Sequence, residues 1–375
     1  MTGGTAQIKC VVWDLDQTLL SGTYLESAGR PPAPDPVLAG ALAELAGRGI
    51  LHAIASRNPP EAAAHAARVT GGQFAAAECG WGRKSEAVAR IAAGLGIGLD
   101  TVAFVDDDPY ERAEVSSALP EVLVLSPEDA AEAPGWPEFR PPVVTAEARR
   151  RGELYQDRRR RQEAERAFGG SREEFLRAAG TRVTIAPAAA GDAPRLLELA
   201  VRTRQFNSGA AGGPVTEAWF AGLIAAPDQD VVAVRLRDSF GDDGLVGGCV
   251  VDRRDPAVWT VRLLLMSCRA MGRGVIDVLL GWLARAAARQ GAGRLDLPCV
   301  LTERNVPLRL ALSAAGFRAA ADGTAPDGTI PDGPGRGDGR RQAPVTFSRP
   351  LTGPLPGLPD WVSAPDGPGA GTEAG

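Results

Sequence analysis

Asp14 and Asp16 stand two residues apart at the end of an apolar run, Val11-Val12-Trp13, and Thr18 follows them. Two carboxylates this close repel unless a cation or a proton separates them, which points to Mg²⁺ and phosphoryl transfer. A solvated acidic turn after a core strand would give the same spacing, so the pair alone leaves both open. A second apolar run, 50–55, ends in Ser56-Arg57-Asn58, where a hydroxyl can meet a phosphate oxygen. Lys84 then heads a helical stretch, and Val102-Ala103-Phe104-Val105 leads into Asp106-Asp107-Asp108-Pro109, with more carboxylates able to hold a metal. Of the 41 basic residues only Lys9 and Lys84 are lysine. In a chain that uses arginine almost everywhere else, a retained lysine is expected to be needed for its compact ammonium.

Short apolar runs alternating with helical stretches predict an α/β chain whose first half is a parallel sheet with chemistry at the strands' carboxyl ends. A length of 375 residues fits two domains. Prolines at 134, 137, 141 and 142 mark the boundary, so we expect a domain over 1–142, an Arg-rich helical linker over 143–180 and a second α/β domain over 181–352. Within the last, 320–343 is Gly/Asp/Pro/Arg-rich and is expected to be a disordered insertion, and 353–375 a disordered tail. The linker interleaves Arg149–Arg151 and Arg158–Arg161 with Glu147, Glu153, Glu163 and Glu165. It reads as a solvated connecting helix with i, i+4 pairs, or as a basic face for an acidic partner. A net charge of −5 and 5% aromatic residues argue against nucleic acid. No run of about 18 apolar residues predicts a membrane span, and the first residues lack a signal-peptide pattern. Five scattered cysteines without a CxxC argue against a disulfide scaffold or zinc site and for a cytoplasmic protein. Two histidines make a histidine base unexpected, and no GxxxxGK[ST] loop implies ATP.

In the second half a strong strand, 258–266, runs into Ser267-Cys268-Arg269-Ala270-Met271-Gly272-Arg273-Gly274 and then a helix, 276–289. Glycines there let backbone N–H groups close around a phosphate at a helix start. Cys268 is a candidate thioester carrier or a small packing residue, with Cys79 a lesser candidate. Gln205 and Asn207 are candidates for substrate or carrier-arm contacts, or for a buried hydrogen-bond network at a helix end.

The series Asp14-x-Asp16-x-Thr18, Ser56, Lys84 and Asp106-Asp107 resembles the haloacid dehalogenase (HAD) superfamily. Arg269-x-x-Gly272-x-Gly274, with Asn305 ahead of a helix closing in Gly316-Phe317, resembles the GNAT acyltransferases. Over 8–317 the combination resembles the FkbH-like proteins of polyketide assembly lines, most specifically in Val12–Asp16, Ile54–Asn58, Phe104–Pro109, Arg202–Ser208 and Leu264–Arg269. The resemblance implies a HAD-like Rossmannoid domain and a GNAT-like domain. It also implies glyceryl transfer from D-1,3-bisphosphoglycerate to the phosphopantetheine thiol of an acyl carrier protein, with phosphate removal, toward hydroxymalonyl or methoxymalonyl extender units. In that scheme Asp14 is the nucleophile and Asp16 the acid–base. Mg²⁺ lies on Asp14, the Asp16 carbonyl, Asp106 and Asp107, with Asp107 orienting Lys84 or a bound water. Ser56, Arg57, Asn58 and Lys84 hold phosphate. Arg269, Gly272, Arg273, Gly274 and Asn305 hold the carrier arm, with Cys268 the candidate to carry the acyl group. Arg83, Asp108 and Arg204 depart from the family pattern. A stand-alone Mg²⁺-dependent phosphatase with a GNAT-like binding domain is the alternative, and a non-catalytic docking module a third.

Overall fold

The computed structural model describes residues 7–27, 32–226, 229–319, 343–353, 355, 357–365 and 367. The chain divides into two compact units, Met1–Arg160 and Arg161–Gly375. The elements of the first are β1 (Cys10–Trp13), α1 (Pro36–Gly47), β2 (Leu51–Ser56), α2 (Pro60–Thr70), β3 (Phe74–Cys79), α3 (Lys84–Leu95), β4 (Val102–Val105), α4 (Pro109–Ala118), β5 (Leu123–Leu125), α5 (Pro127–Glu132) and α6 (Ala146–Arg149). The division falls inside α7 (Arg151–Ala167), in the middle of the stretch expected as a linker.

The first sheet is parallel throughout, in the order β3-β2-β1-β4-β5. Successive β1 residues face opposite sides: Val11 and Trp13 join one core, Cys10 and Val12 the other. Burial on both faces is why the strand reads as a continuous apolar run. Trp13 donates to His52 Nδ1 at 2.9 Å, and burial pulls His52 down to about 3, leaving it a neutral core residue. The chain builds outward from β1 through β2 to β3 and then crosses to β4. The switch in strand order therefore lies between β1 and β4, where open α/β sheets form their crevice.

The second unit contains α8 (Arg172–Ala178), β6 (Arg182–Pro187), α9 (Ala193–Arg202), α10 (Glu217–Ala225), β7 (Gln229–Asp238), β8 (Gly241–Asp252), β9 (Val258–Met266), α11 (Val275–Arg289), β10 (Arg294–Cys299), α12 (Val306–Ala314), β11 (Arg318–Ala319), β12 (Val345–Pro350) and β13 (Val362–Ser363). Its mixed sheet runs β11-β12-β10-β9-β8-β7-β6-β13. Nearly all of the insertion expected over 320–343 lies outside the described residues. The disordered tail expected from 353 does not hold for 357–365. Val362–Ser363 pairs with Val183–Thr184, Trp361 is buried, and Pro365 O accepts from Trp282 Nε1 at 2.8 Å. Leu358, Trp361 and Val362 give this proline- and glycine-rich segment enough apolar surface to dock. Among the described residues no helix is long and apolar enough to cross a membrane.

Arg161, Arg273, Asp238 and Asp243 form a buried ion cluster in the second unit. Burial pushes Asp238 upward, but the bond from Arg161 and the charges of Arg273 and Arg161 outweigh it and hold the carboxyl below its usual range. A carboxyl held below its unfolded value of about 3.9 stabilises the fold above that value and loses the contribution as pH falls through the folded one. Asp238→Ala, which strands two buried guanidinium groups, is expected to cost about 3–5 kcal/mol at neutral pH. In urea unfolding, the gap between wild type and Asp238→Asn should shrink from pH 6 to pH 3; a constant gap would contradict this assignment.

Candidate active site

Asp14 leaves β1 and Asp106 leaves β4 in matching register, because Trp13 pairs with Val105 and Asp14 N–H donates to Val105 O at 2.8 Å. Both carboxylates are buried, and Lys84, 4% exposed, lies between them. Its ammonium pairs with Asp14 and, at 2.9 Å, with Asp106, and donates to Ala55 O at 2.9 Å. Burial is the largest influence on Asp14 and pushes its carboxyl up to about 7, with Lys84 opposing and Asp106 adding. Burial pulls Lys84 down, yet the two carboxylates outweigh it and hold the ammonium above its usual value. It stays charged.

The loop after β1 is shaped for this task. Among the described residues Gln17 alone has a positive φ (53°) without being glycine, a costly conformation that turns the chain back on itself between Asp16 and Thr18. Thr18 then donates to Asp107 Oδ1 and accepts from Asp107 N–H, each at 3.0 Å. Asp107 was expected to orient Lys84 or a bound water; its side chain accepts from Thr18. Arg112 donates to the carbonyls of both Asp106 and Asp107 at 2.7 Å, and Asp108 caps α4 through Tyr110 N–H.

Asn58 was expected on a phosphate, but it is 1% exposed and donates to Asp16 Oδ2 and Ser56 Oγ, each at 3.0 Å. It therefore orients the two groups beside it. Asp16 also accepts from Tyr24 N–H at 2.9 Å. Arg57 is half-exposed and pairs with buried Glu111 at 2.8 Å. Ser56 and Lys84 line a cleft with Cys79, Gly80, Gly82 and Arg83. Burial, the largest influence, holds the Cys79 thiol above its usual range.

The residues present fit a divalent cation. Oxygens of Asp14, Asp106 and Asp107 lie within 4.8 Å of one another, an all-carboxylate set suited to a hard ion. The Asp16 carboxylate is not in this group; it is turned to Asn58 and Tyr24.

The second unit places its sequence candidates differently. β9 and β10 pair only between Val258–Thr260 and Arg294–Asp296. Further along, the segment 206–208 fills in: Ser208 N–H donates to Leu264 O, Ser208 Oγ accepts from Leu264 N–H, Met266 N–H donates to Phe206 O, and Val300 N–H to Ser208 O. Asn207 and Asn305 hold this segment. Asn207 Nδ2 donates to Ala200 O and Thr203 O, and Asn305, 1% exposed, donates to Val300 O at 2.8 Å. Of the two roles open for Asn207, the buried helix-end network is the one its bonds make. Asn305, expected on a carrier arm, is used in the same framework. Gln205 Oε1 is buried without a hydrogen-bond partner. Arg273, also expected on the arm, is committed to Asp238 and Asp243. Arg269 is buried beside Ser267 and the Asp243 carbonyl. Gly272 and Gly274 adopt φ of 75° and 68° ahead of α11, which has no side-chain cap. Cys268 opens the short turn after β9 and is partly exposed.

No family model matches the chain, and neither does any curated protein. Among solved structures it is similar to the N-terminal part of a Bacteroides fragilis protein containing a phosphatase domain, crystallised with Mg. That match has 26% identity over 36% of this chain, spans 39% of the other and has a TM-score of 0.30. The IAA acetyltransferase from Bacillus cereus matches at 13% identity, over 45% of this chain and 99% of that one, with a TM-score of 0.30. The ribosomal-protein-S18-alanine N-acetyltransferase of Escherichia coli matches at 14%, over 47% and 98%, with a TM-score of 0.32. The side chains, not these partial likenesses, carry the functional reading.

Saturating Mg²⁺, at about 100 times its Kd, should stabilise the wild type by about 2.7 kcal/mol. Asp106→Asn should lose most of that gain in thermal melts with and without Mg²⁺. An equal gain in both proteins would remove Asp106 from the ligand set.

Proposed function

We propose that the first unit is a Mg²⁺-dependent phosphatase with Asp14 as nucleophile, and that the whole chain moves a glyceryl group from D-1,3-bisphosphoglycerate to an acyl carrier protein thiol. The observation that supports it most is the Lys84 ammonium between Asp14 and Asp106, with Ser56 and Asp16 beside them at the carboxyl edge of the sheet. Asp14, Asp106 and Asp107 would hold the Mg²⁺, which supplies positive charge against the phosphoryl oxygens and the crowded carboxylates.

Asp14 Oδ attacks phosphorus, forming an aspartyl phosphate as the bond to the leaving oxygen breaks. Asp16, oriented by Asn58, gives that oxygen its proton and then takes one from the water that frees phosphate. Ser56 and Lys84 hold the phosphoryl oxygens during both steps. The acyl phosphate of the same substrate is already activated, so a thiol can attack its carbonyl carbon and expel phosphate without ATP. Cys268 and the phosphopantetheine thiol are the two candidates for that attack. In this reading Gly272 and Gly274 open the loop that receives the carrier arm, and the exposed Arg159 and Arg160 of α7 meet an acidic carrier protein. This is the activity that the motif resemblance to the FkbH-like family implies. The cytoplasm, where such substrates occur, is the compartment that fits.

The test is to incubate the protein with Mg²⁺, 1,3-bisphosphoglycerate and a holo acyl carrier protein and to weigh the carrier. A glyceryl gain is expected. Asp14→Asn should lower phosphate release at least about a thousandfold, and Cys268→Ala should abolish the gain if that thiol relays the acyl group. Phosphate release from small esters with no gain on any carrier would support the stand-alone phosphatase instead.

A further inference from the structure

Lys84 is the first residue of α3, and Arg83 at the cap position offers no side-chain acceptor. The open N–H groups of a helix start need acceptors, and here one comes from a different helix. Glu114 on α4 accepts from Ser85 N–H at 3.0 Å through Oε2 and from the Ser85 hydroxyl at 2.5 Å through Oε1.

We propose that Glu114 is a positioning residue for Lys84, capping α3 from across the α3–α4 contact and so fixing the ammonium between Asp14 and Asp106. Ser85 is the second residue of α3, whose N–H a cap side chain ordinarily takes. A carboxylate there also meets the positive end of the helix dipole. The helix that carries Glu114 is itself tied to the acidic loop, because Arg112 holds the carbonyls of Asp106 and Asp107 and Asp108 caps its start. One turn earlier, Glu111 pairs with Arg57 beside Ser56. Three charged residues of α4 therefore register three separate parts of the site against one another. Without Glu114 the first turn of α3 loses its acceptor, and the ammonium, carried by the very first helical residue, loses its fixed height.

This inference deepens the phosphatase reading, but the placement of Lys84 can be measured without any substrate, so the two can fail separately. Lys9 and Lys84 are the chain's only lysines, and Lys9 serves as an internal reference. Native protein is treated briefly with an acetylating reagent, and each lysine is quantified by peptide mass spectrometry. In Glu114→Ala, Lys84 should react at least about tenfold faster while Lys9 is unchanged. With a phosphomonoester, kcat should fall at least about tenfold and KM stay within about threefold, the pattern of a misplaced group rather than a lost binding contact. Glu114→Gln, which keeps an acceptor for Ser85 N–H, should recover most of both. Unchanged Lys84 labelling in folded Glu114→Ala overturns the proposal. If both lysines accelerate together the fold has opened, and folded Glu114→Gln decides: Lys84 labelling close to the wild-type rate supports the proposal, and labelling as fast as in Glu114→Ala overturns it.

Discussion

The constraint on which the first unit depends is the forced proximity of two buried acids. Parallel strands lie about 4.8 Å apart, and β1 and β4 release Asp14 and Asp106 at the same height. In a medium less polarisable than water two such charges repel strongly. Lys84 offsets this, and the surrounding polar contacts keep the three groups in place. Gln17 bends the loop, Thr18 latches it to Asp107, Arg112 holds the next loop by its carbonyls, and Asn58 fixes Asp16. The same crowding that costs stability suits the place to a divalent cation.

In the second unit the sheet is closed by its own chain. Residues 206–208 complete the backbone bonding of β9 where β10 no longer pairs with it, and the two asparagines that sequence marks as ligand candidates are spent on that task. The arginines of the glycine loop are likewise turned into the protein, Arg273 toward the buried aspartates. Outward this loop presents the exposed Met271, backbone at Gly272 and Gly274, and the partly exposed Cys268.

How much of this is legible in sequence follows from the kind of interaction involved. β1 and β4 are continuous apolar runs, β2 and β9 largely apolar ones, and all end in chemistry-bearing residues, so the strands and the order of Asp14, Ser56, Lys84 and Asp106 can be read directly. β3 cannot: Phe74-Ala75-Ala76-Ala77-Glu78-Cys79 lacks β-branched residues and is a strand only because β2 pairs with it. Glu114 and Arg112 are equally hidden, since an exposed-looking charge on a helix carries no mark of the backbone it will bind. Asn58, Asn207 and Asn305 show the converse, because an amide that serves a ligand and one that serves a carbonyl look the same in sequence. The docked segment 357–365 escapes notice because its few apolar residues sit among prolines and glycines.

The central claim, that Asp14 takes the phosphoryl group, is tested most directly by trapping it. The protein is mixed with Mg²⁺ and an acyl phosphate, quenched in acid within milliseconds, reduced with borohydride and mapped by mass spectrometry. Conversion of Asp14 to homoserine, the reduction product of an aspartyl phosphate, is the expected result. Steady phosphate release with Asp14 unmodified at every quench time would contradict the account.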